Sequence, residues 1–191
     1  MARPKNEELK MAITTAARKQ FFEVGYNATS YRSVAEECGI SRNLVQYHFP
    51  KKELLAIAFM ESLLDSCMKE LGLSKEKLVS NFASITQVGV LYFQKLVAKE
   101  GSRSFLKDVL RDRDLTESIL AFNLDWALGH VTEEELKPNT DLQRTIILHM
   151  GGFYELLYWS LCNNREIDIA HELGLIVSSF AKALIQYKEQ K

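Results

Sequence analysis

Apolar residues recur at spacings of three and four along nearly the whole chain, which is the periodicity of amphipathic helices. The first such segment ends at Gly25, a residue type that commonly follows the last turn of a helix. Ser30 and Ser41 are placed to cap two short helices, which a tight turn at Gly39 separates. Pro50 is placed in the first turn of a fourth helix. The pattern therefore predicts four helices within about the first 71 residues.

Beyond Gly72 the predicted helices become longer, and no strand pattern or internal repeat appears. Gly101 is expected to end the first of these helices, and Pro138 lies in a charged connector. The expected boundaries are about 75–99, 103–112, 115–130, 141–162 and 168–188. The sequence thus predicts an all-α fold of about nine helices. A three-helix N-terminal domain over 1–50 is followed by a larger helical bundle over 51–191.

The net charge hides an uneven distribution of charged residues. The 191 residues include 24 Lys and Arg against 25 Asp and Glu, a formal charge of -1. This balance excludes a histone-like basic coat and an acidic disordered tail. Residues 1–55, however, hold 9 basic and 6 acidic side chains, whereas the remainder holds 15 and 19. The positive excess lies in the region of the short helices.

The sequence favours a cytoplasmic protein with reduced thiols. Its polar N-terminus has no apolar segment behind it, as a secretory signal would require. Residues 145–164 lack Lys and Arg, but Glu155 in their middle favours a buried helix of a soluble protein over a membrane span. Cys38, Cys67 and Cys162 are widely spaced without a CxxC pair, so they indicate neither a disulfide framework nor a zinc site. We interpret them as small buried thiols.

Residues 30–49 have the arrangement of a helix-turn-helix, in which the second helix enters the major groove of DNA. Val34, Ala35, Ile40 and Val45 are spaced to lock the two helices around a small core. The other side of the second helix carries donors and acceptors suited to phosphates and base edges: Ser41, Arg42, Asn43, Gln46, Tyr47 and His48. Taken alone, the segment is also compatible with two packed helices that bind nothing.

The wider order of residues from Ile13 to Leu55 resembles the tetracycline-repressor (TetR) family. The resemblance rests on five strings in order: Ile13-x-x-Ala16-Ala17, Phe21-Phe22-x-x-Gly25-Tyr26, Ala28-Thr29-Ser30, Val34-Ala35-x-x-Cys38-Gly39-Ile40-Ser41 and Tyr47-His48-Phe49-x-x-Lys52-x-x-Leu55. It implies a one-component regulator. We expect neither enzymatic activity nor a cofactor, because the rival class of a helical enzyme would need a reactive constellation of side chains. The first three helices would bind double-stranded DNA, and the rest would bind a small molecule and form a homodimer.

The resemblance also implies roles for individual residues. Thr29 or Ser30, together with Arg32, would contact the DNA backbone at the start of the second helix. Lys52, with Lys51 beside it, would hold a phosphate. The residues implied to face the groove are Arg42, Asn43, Gln46, Tyr47 and His48. This chain departs from the family pattern at Asn43, Leu44 and Gln46, so the operator sequence does not transfer.

The last two helices favour a dimer independently, because apolar residues surround the helix over 141–162 almost completely. The alternative is an internal core of a monomer. Gly151 and Gly152 are either a tolerated weak point or a place of close helix approach or ligand space. The expected dimer contacts are Tyr154, Leu157, Leu161, Ile169, Leu173, Ile176 and Phe180.

Thirteen of the 19 aromatic residues, including both tryptophans, lie beyond residue 55, which indicates a pocket for a largely apolar or aromatic ligand. The expected ligand-binding residues are Phe93, Phe105, Phe122, Trp126, His149 and Tyr158, although an aromatic residue is more often part of a core. His130 and His149 lack a partner motif for metal binding, and no nucleophile–base pair is visible. We expect a repressor that its ligand releases from a palindromic operator. The alternatives are an activator, or a partner-binding or DNA-organising protein without an effector.

Overall fold

The computed structural model describes residues 4–74, 82–128 and 141–189. Nine helices and no strands occur in this part of the chain. Their bounds are α1 Pro4–Val24, α2 Tyr31–Cys38, α3 Arg42–His48, α4 Lys52–Glu70, α5 Phe82–Val97, α6 Glu100–Arg111, α7 Arg113–Leu128, α8 Asp141–Cys162 and α9 Ile169–Glu189. The predicted all-α fold class is confirmed.

Side-chain and glycine caps explain several of the helix boundaries. α1 ends at Gly25, which has φ +84°, a conformation that costs glycine little. Asp112 accepts a hydrogen bond from the N–H of Leu115 at 3.1 Å and so caps α7. Asp168 caps α9 in the same way, accepting from the N–H of His171 at 2.9 Å.

Two expected boundaries differ from the structure. Pro50 lies two residues before α4, which begins at Lys52, so the proline precedes the helix. Gly101 lies in the first turn of α6 and does not end α5, whose last residue is Val97. The start of the helix expected from residue 75 and the connector over 133–139 lie outside the described residues.

The chain divides into two compact units. The first comprises the described residues of Met1–Ser66 together with Lys95–Val109, and thus contains α1 to α3 and most of α4 and α6. The second comprises those of Cys67–Gln94 and Leu110–Lys191. The expected division into 1–50 and 51–191 stays a prediction.

An aromatic cluster forms the core of the first unit. The rings of Phe21 and Phe105 are 4.8 Å apart and those of Phe59 and Phe105 are 4.9 Å apart, while Tyr26 stacks on Phe21 at 5.9 Å. All four side chains are buried. Gly101 permits the close approach of α6 to the end of α1, because a Cβ on this residue would lie 2.6 Å from the carbonyl carbon of Phe22. The first unit therefore includes α6 as an integral part of its core.

The second unit is built around α8, which packs against both α7 and α9. Its core also contains aromatic rings. The ring centroids of Phe93 on α5 and Phe153 on α8 are 4.9 Å apart. None of the helices in the described ranges is both long and apolar enough to cross a membrane.

Candidate nucleic-acid interface

The second helix of the first unit begins and ends with complete caps. The hydroxyl of Ser30 accepts from the N–H of Ser33 at 3.1 Å, and the hydroxyl of Ser33 accepts from the N–H of Ser30 at 3.0 Å. At the other end Gly39 adopts φ 64°, ψ 32°, and the N–H of Ile40 donates to the carbonyl of Ala35 at 3.0 Å. The expected cap at Ser30 and the expected turn at Gly39 are confirmed. Together they fix the turn that leads into α3.

The third helix is fixed at both ends and along its inner side. Ser41 caps it, accepting from the N–H of Leu44 at 3.3 Å, as expected from the sequence. The hydroxyl of Tyr31 on α2 donates to the carbonyl of Phe49 at 2.7 Å, which ties α2 to the end of α3. Val45 is fully buried, together with Val34 of α2. α3 is thus held rigidly although it has only seven residues.

The outer side of α3 is open to solvent. Tyr47 is 76% exposed, the highest value among the large hydrophobic side chains described. Arg42, Asn43 and Gln46 are exposed as well, whereas His48 is half-buried with its ring centroid 5.4 Å from that of Tyr47. Ser41 is exposed, but its hydroxyl is engaged in the cap. The helix therefore presents one cation, two amides and a phenol ring on one face.

Of the residues expected at the start of α2, Thr29 is not on the surface. Its side chain is buried, and its hydroxyl donates to the carbonyl of Gly25 at 2.8 Å. Thr29 therefore stabilises the loop, and of the expected pair only Ser30 remains exposed. Arg32 is exposed, and its Nε lies 2.8 Å from Oε1 of Glu36. A solvent-exposed ion pair of this kind contributes little to stability, so a DNA phosphate can replace the carboxylate.

The two lysines at the start of α4 differ in their surroundings. Lys51 is exposed, whereas Lys52 is half-buried with its Nζ 4.2 Å from the ring centroid of Tyr26. Burial lowers the pKa of Lys52, and the negative charges of Asp108 and Glu53 oppose this shift. The ammonium group is thus held over an aromatic face, where the ring quadrupole attracts a cation.

The expected ligand-binding residues are divided between the two units. Phe105 belongs to the core of the first unit, because its ring packs on Phe21 and Phe59. Phe93 is buried in the second unit. The side chains of Phe122 and Trp126, and all of His130, lie outside the described residues.

The remaining two expected ligand residues lie on α8. The Nδ1 of exposed His149 is 2.7 Å from the carbonyl of Thr145, one turn earlier. Tyr158 is half-buried, and a hydrogen bond with Cys162 raises its pKa. A groove of about 510 Å³ lies instead on the first unit, lined by α1 between Glu8 and Lys19 and by the end of α2, and it contains none of these residues.

The expected dimer contacts lie inside the second unit of a single chain. Six of the seven side chains, all except Ile176, are buried there: Tyr154, Leu157, Leu161, Ile169, Leu173 and Phe180. The opposite face of α8 is the exposed one, and it carries Leu148, Gly152 and Trp159 at helical spacing. Leu175 is exposed on α9. Apolar residues surround this helix almost completely in the sequence, so they do not by themselves distinguish its buried side from this exposed one. The helical positions opposite Leu157 are the signal that indicates this face.

Residues 13–59 match the family model described as bacterial regulatory proteins, tetR family. An uncharacterized HTH-type transcriptional regulator of Bacillus subtilis, YuxN, is 31% identical over 144 residues, which cover 70% of this chain and 49% of that protein. The HTH-type transcriptional regulator RutR of Escherichia coli is 36% identical over 67 residues, covering 35% and 32%. The matches thus span half or less of the length of these relatives.

Two solved structures share the fold. A tetR-family transcriptional regulator from Streptomyces coelicolor superposes with a TM-score of 0.56 at 18% identity, covering 97% of this chain and 84% of that one. SmeT, described as the repressor of a Stenotrophomonas maltophilia multidrug efflux pump, superposes with a TM-score of 0.55 at 19% identity, covering 91% and 89%. At these identities the likeness concerns the fold alone.

Proposed function

Because the chain belongs to the tetR family of bacterial regulatory proteins, we propose that it is a DNA-binding transcriptional regulator that reads its operator with α3. The observation that carries this proposal is the exposed polar face of α3 on a rigid support. Seven residues span about 10 Å, which fits a major groove about 12 Å wide. Arg42, Asn43 and Gln46 have the donors and acceptors that distinguish base edges.

The surrounding side chains supply contacts with the DNA backbone. Ser30 and Arg32 lie at the start of α2, and Lys51 and Lys52 lie at the start of α4, so the two sets flank α3 along the chain. With a small positive excess in residues 1–55, affinity depends more on placed contacts than on bulk charge. It nevertheless decreases with salt concentration, since each neutralised phosphate releases counterions. A protein with this function acts in the cytoplasm, where its operator lies.

Tyr47→Ala tests this interface. Tyr47 is 76% exposed, so its removal leaves the core intact, and we expect at least a tenfold loss of affinity for DNA selected from random oligonucleotides. Fluorescence anisotropy measures the affinity, and circular dichroism checks the fold. Met11→Ala is the matched control, because Met11 on α1 is 67% exposed in the same unit. Equal affinities of the two variants would contradict the role of α3.

We further propose that two chains form the operator-binding unit through the exposed face of α8 and α9. Leu148 is 68% exposed and Leu175 is 53% exposed. Large exposed apolar patches on a protein surface commonly mark sites of contact with another molecule. Apart from adjacent residues and the nearby backbone of α8 itself, no described atom of the chain lies within 4 Å of a Cβ position at Gly151 or Gly152, so packing within the described chain does not require glycine there. Close approach of a partner helix gives them a use, and a two-fold axis would place two α3 helices on a palindromic site.

Leu148→Glu is expected to convert the dimer into a monomer, because it puts a charge in an apolar contact. Sedimentation equilibrium measures the mass. Met11→Glu provides the control, since it introduces the same charge at a side chain of nearly equal exposure, 67% against 68%. A dimer that persists in Leu148→Glu, or dissociates equally in Met11→Glu, would rule out this interface.

We also propose that an apolar or aromatic small molecule releases the protein from its operator and that the protein acts as a repressor. The aromatic interior of the second unit around Phe93 and Phe153 supports this proposal. The ligand weakens DNA binding only to the extent that it prefers a second conformation.

Titration of aromatic compounds against a preformed DNA complex tests the effector response. A compound that raises the melting temperature of the free protein is expected to weaken the complex at least fivefold. A stabilising compound that leaves DNA affinity unchanged would favour the alternative of a regulator without this switch. Transcription from a promoter carrying the selected site distinguishes repression from activation.

A further inference from the structure

Helix α6 contacts the loop that precedes the reading helices. Within the first unit, Phe105 of α6 packs against Phe21. The ring centroids of Tyr26 and Phe105 are 6.3 Å apart in an edge-to-face contact. One turn further along α6, the carboxylate Oδ2 of Asp108 accepts a hydrogen bond from the backbone N–H of Asn27 at 3.2 Å. A hydrogen bond to an ionised acceptor is stronger than one between neutral groups. Asp108 therefore anchors the loop directly after Tyr26.

The same loop also contacts Lys52, the first residue of α4, through the ring of Tyr26. The Nζ of Lys52 lies 4.2 Å from the ring centroid of Tyr26, so the position of this ring decides where the ammonium group lies. Asp108 is 81 residues from Asn27 along the chain, yet it fixes the backbone next to that ring. Its charge also favours the protonated form of Lys52, against the effect of burial on the pKa. Tyr26 of the loop and Asp108 of α6 thus both act on the same cation.

We propose that Asp108 is a positioning residue for DNA binding: it fixes the loop of Tyr26, and Tyr26 holds the ammonium group of Lys52 in place for a backbone phosphate. This inference rests on the proposed function of α3 and its flanks, and it adds a residue of α6 that does not itself contact DNA. A carboxylate that only added negative charge near DNA would weaken binding. A positioning carboxylate strengthens it, so the two roles predict opposite signs for the same substitution.

A double-mutant cycle separates these roles. Lys52→Gln is expected to lower the affinity for selected DNA about tenfold and to reduce the slope of log affinity against log salt by about 0.9, the loss of one phosphate contact. Asp108→Ala is expected to lower the affinity about fivefold. In the Lys52→Gln background, Asp108→Ala should cause no further loss, because the residue acts through Lys52. Additive losses, or a gain in affinity in Asp108→Ala, would overturn the proposal.

Two control variants exclude a loss of fold or charge as the cause. Asp108→Asn keeps an oxygen acceptor for the N–H of Asn27, so we expect it to retain affinity within about twofold of the wild type. An equal loss in Asp108→Asn and Asp108→Ala would contradict positioning by this hydrogen bond. Asp65→Ala removes an exposed carboxylate from α4 in the same unit and should not decrease affinity.

A measurement without DNA distinguishes failure of this inference from failure of the proposed function. The Nζ of Lys52 lies 4.2 Å from the ring centroid of Tyr26, and the ε-methylene carbon is bonded to it. The NMR resonance of the ε-methylene protons should therefore be shifted by the ring current. Asp108→Ala is expected to move it toward the value of a solvated lysine. An unchanged resonance overturns the positioning role even when DNA binding is intact. Failure of the wild type to bind any DNA overturns the proposed function, and the phosphate role of Lys52 with it.

Discussion

The first unit depends on the close approach of two backbones, that of α6 at Gly101 and that of α1 at its end. A Cβ on Gly101 would lie 2.7 Å from the carbonyl carbon of Glu23, so only a glycine allows this distance. At this distance Phe105 joins Phe21 and Phe59 in a buried aromatic cluster. Aromatic rings bury large areas, and such pairs contribute beyond the area they bury. The contact between α1 and α6 therefore stabilises the core that supports α2 and α3.

The reading helices follow from this core through a short series of rigid contacts. Phe21 and Tyr26, whose rings stack, lie on either side of Gly25 along the chain. The carbonyl of Gly25 accepts a hydrogen bond from the hydroxyl of Thr29, the residue before the cap of α2. The hydrogen bond from Tyr31 to the carbonyl of Phe49 then ties α2 to the end of α3. Each step is short-range and leaves little conformational freedom. A seven-residue helix, too short to be stable alone, is thereby held with its polar face outward.

Local features were predictable from the sequence, whereas contacts between distant segments were not. The caps at Ser30 and Ser41 and the helix over 141–162 depend on neighbours within four residues, and the structure has them as expected. Apolar periodicity does not say which face meets which partner, so the sequence predicts Phe105 as a ligand contact and Tyr154 as a dimer contact, whereas each is buried in the core of its own unit. For the same reason the sequence does not indicate the role of Asp108, because its hydrogen-bond partner Asn27 is 81 residues away along the chain.

Hydrogen exchange in Gly101→Ala, with Gly174→Ala as control, tests the dependence of the first unit on α6 most directly. Both are helical glycines, but a Cβ at Gly174 meets no described atom within 4 Å apart from adjacent residues and the nearby backbone of its own helix. We expect Gly101→Ala to lower the opening free energy of the amides of α1 to α3 by about 2 kcal/mol. Gly174→Ala should leave these amides unchanged. Unaltered exchange of α1 to α3 in Gly101→Ala would contradict the account.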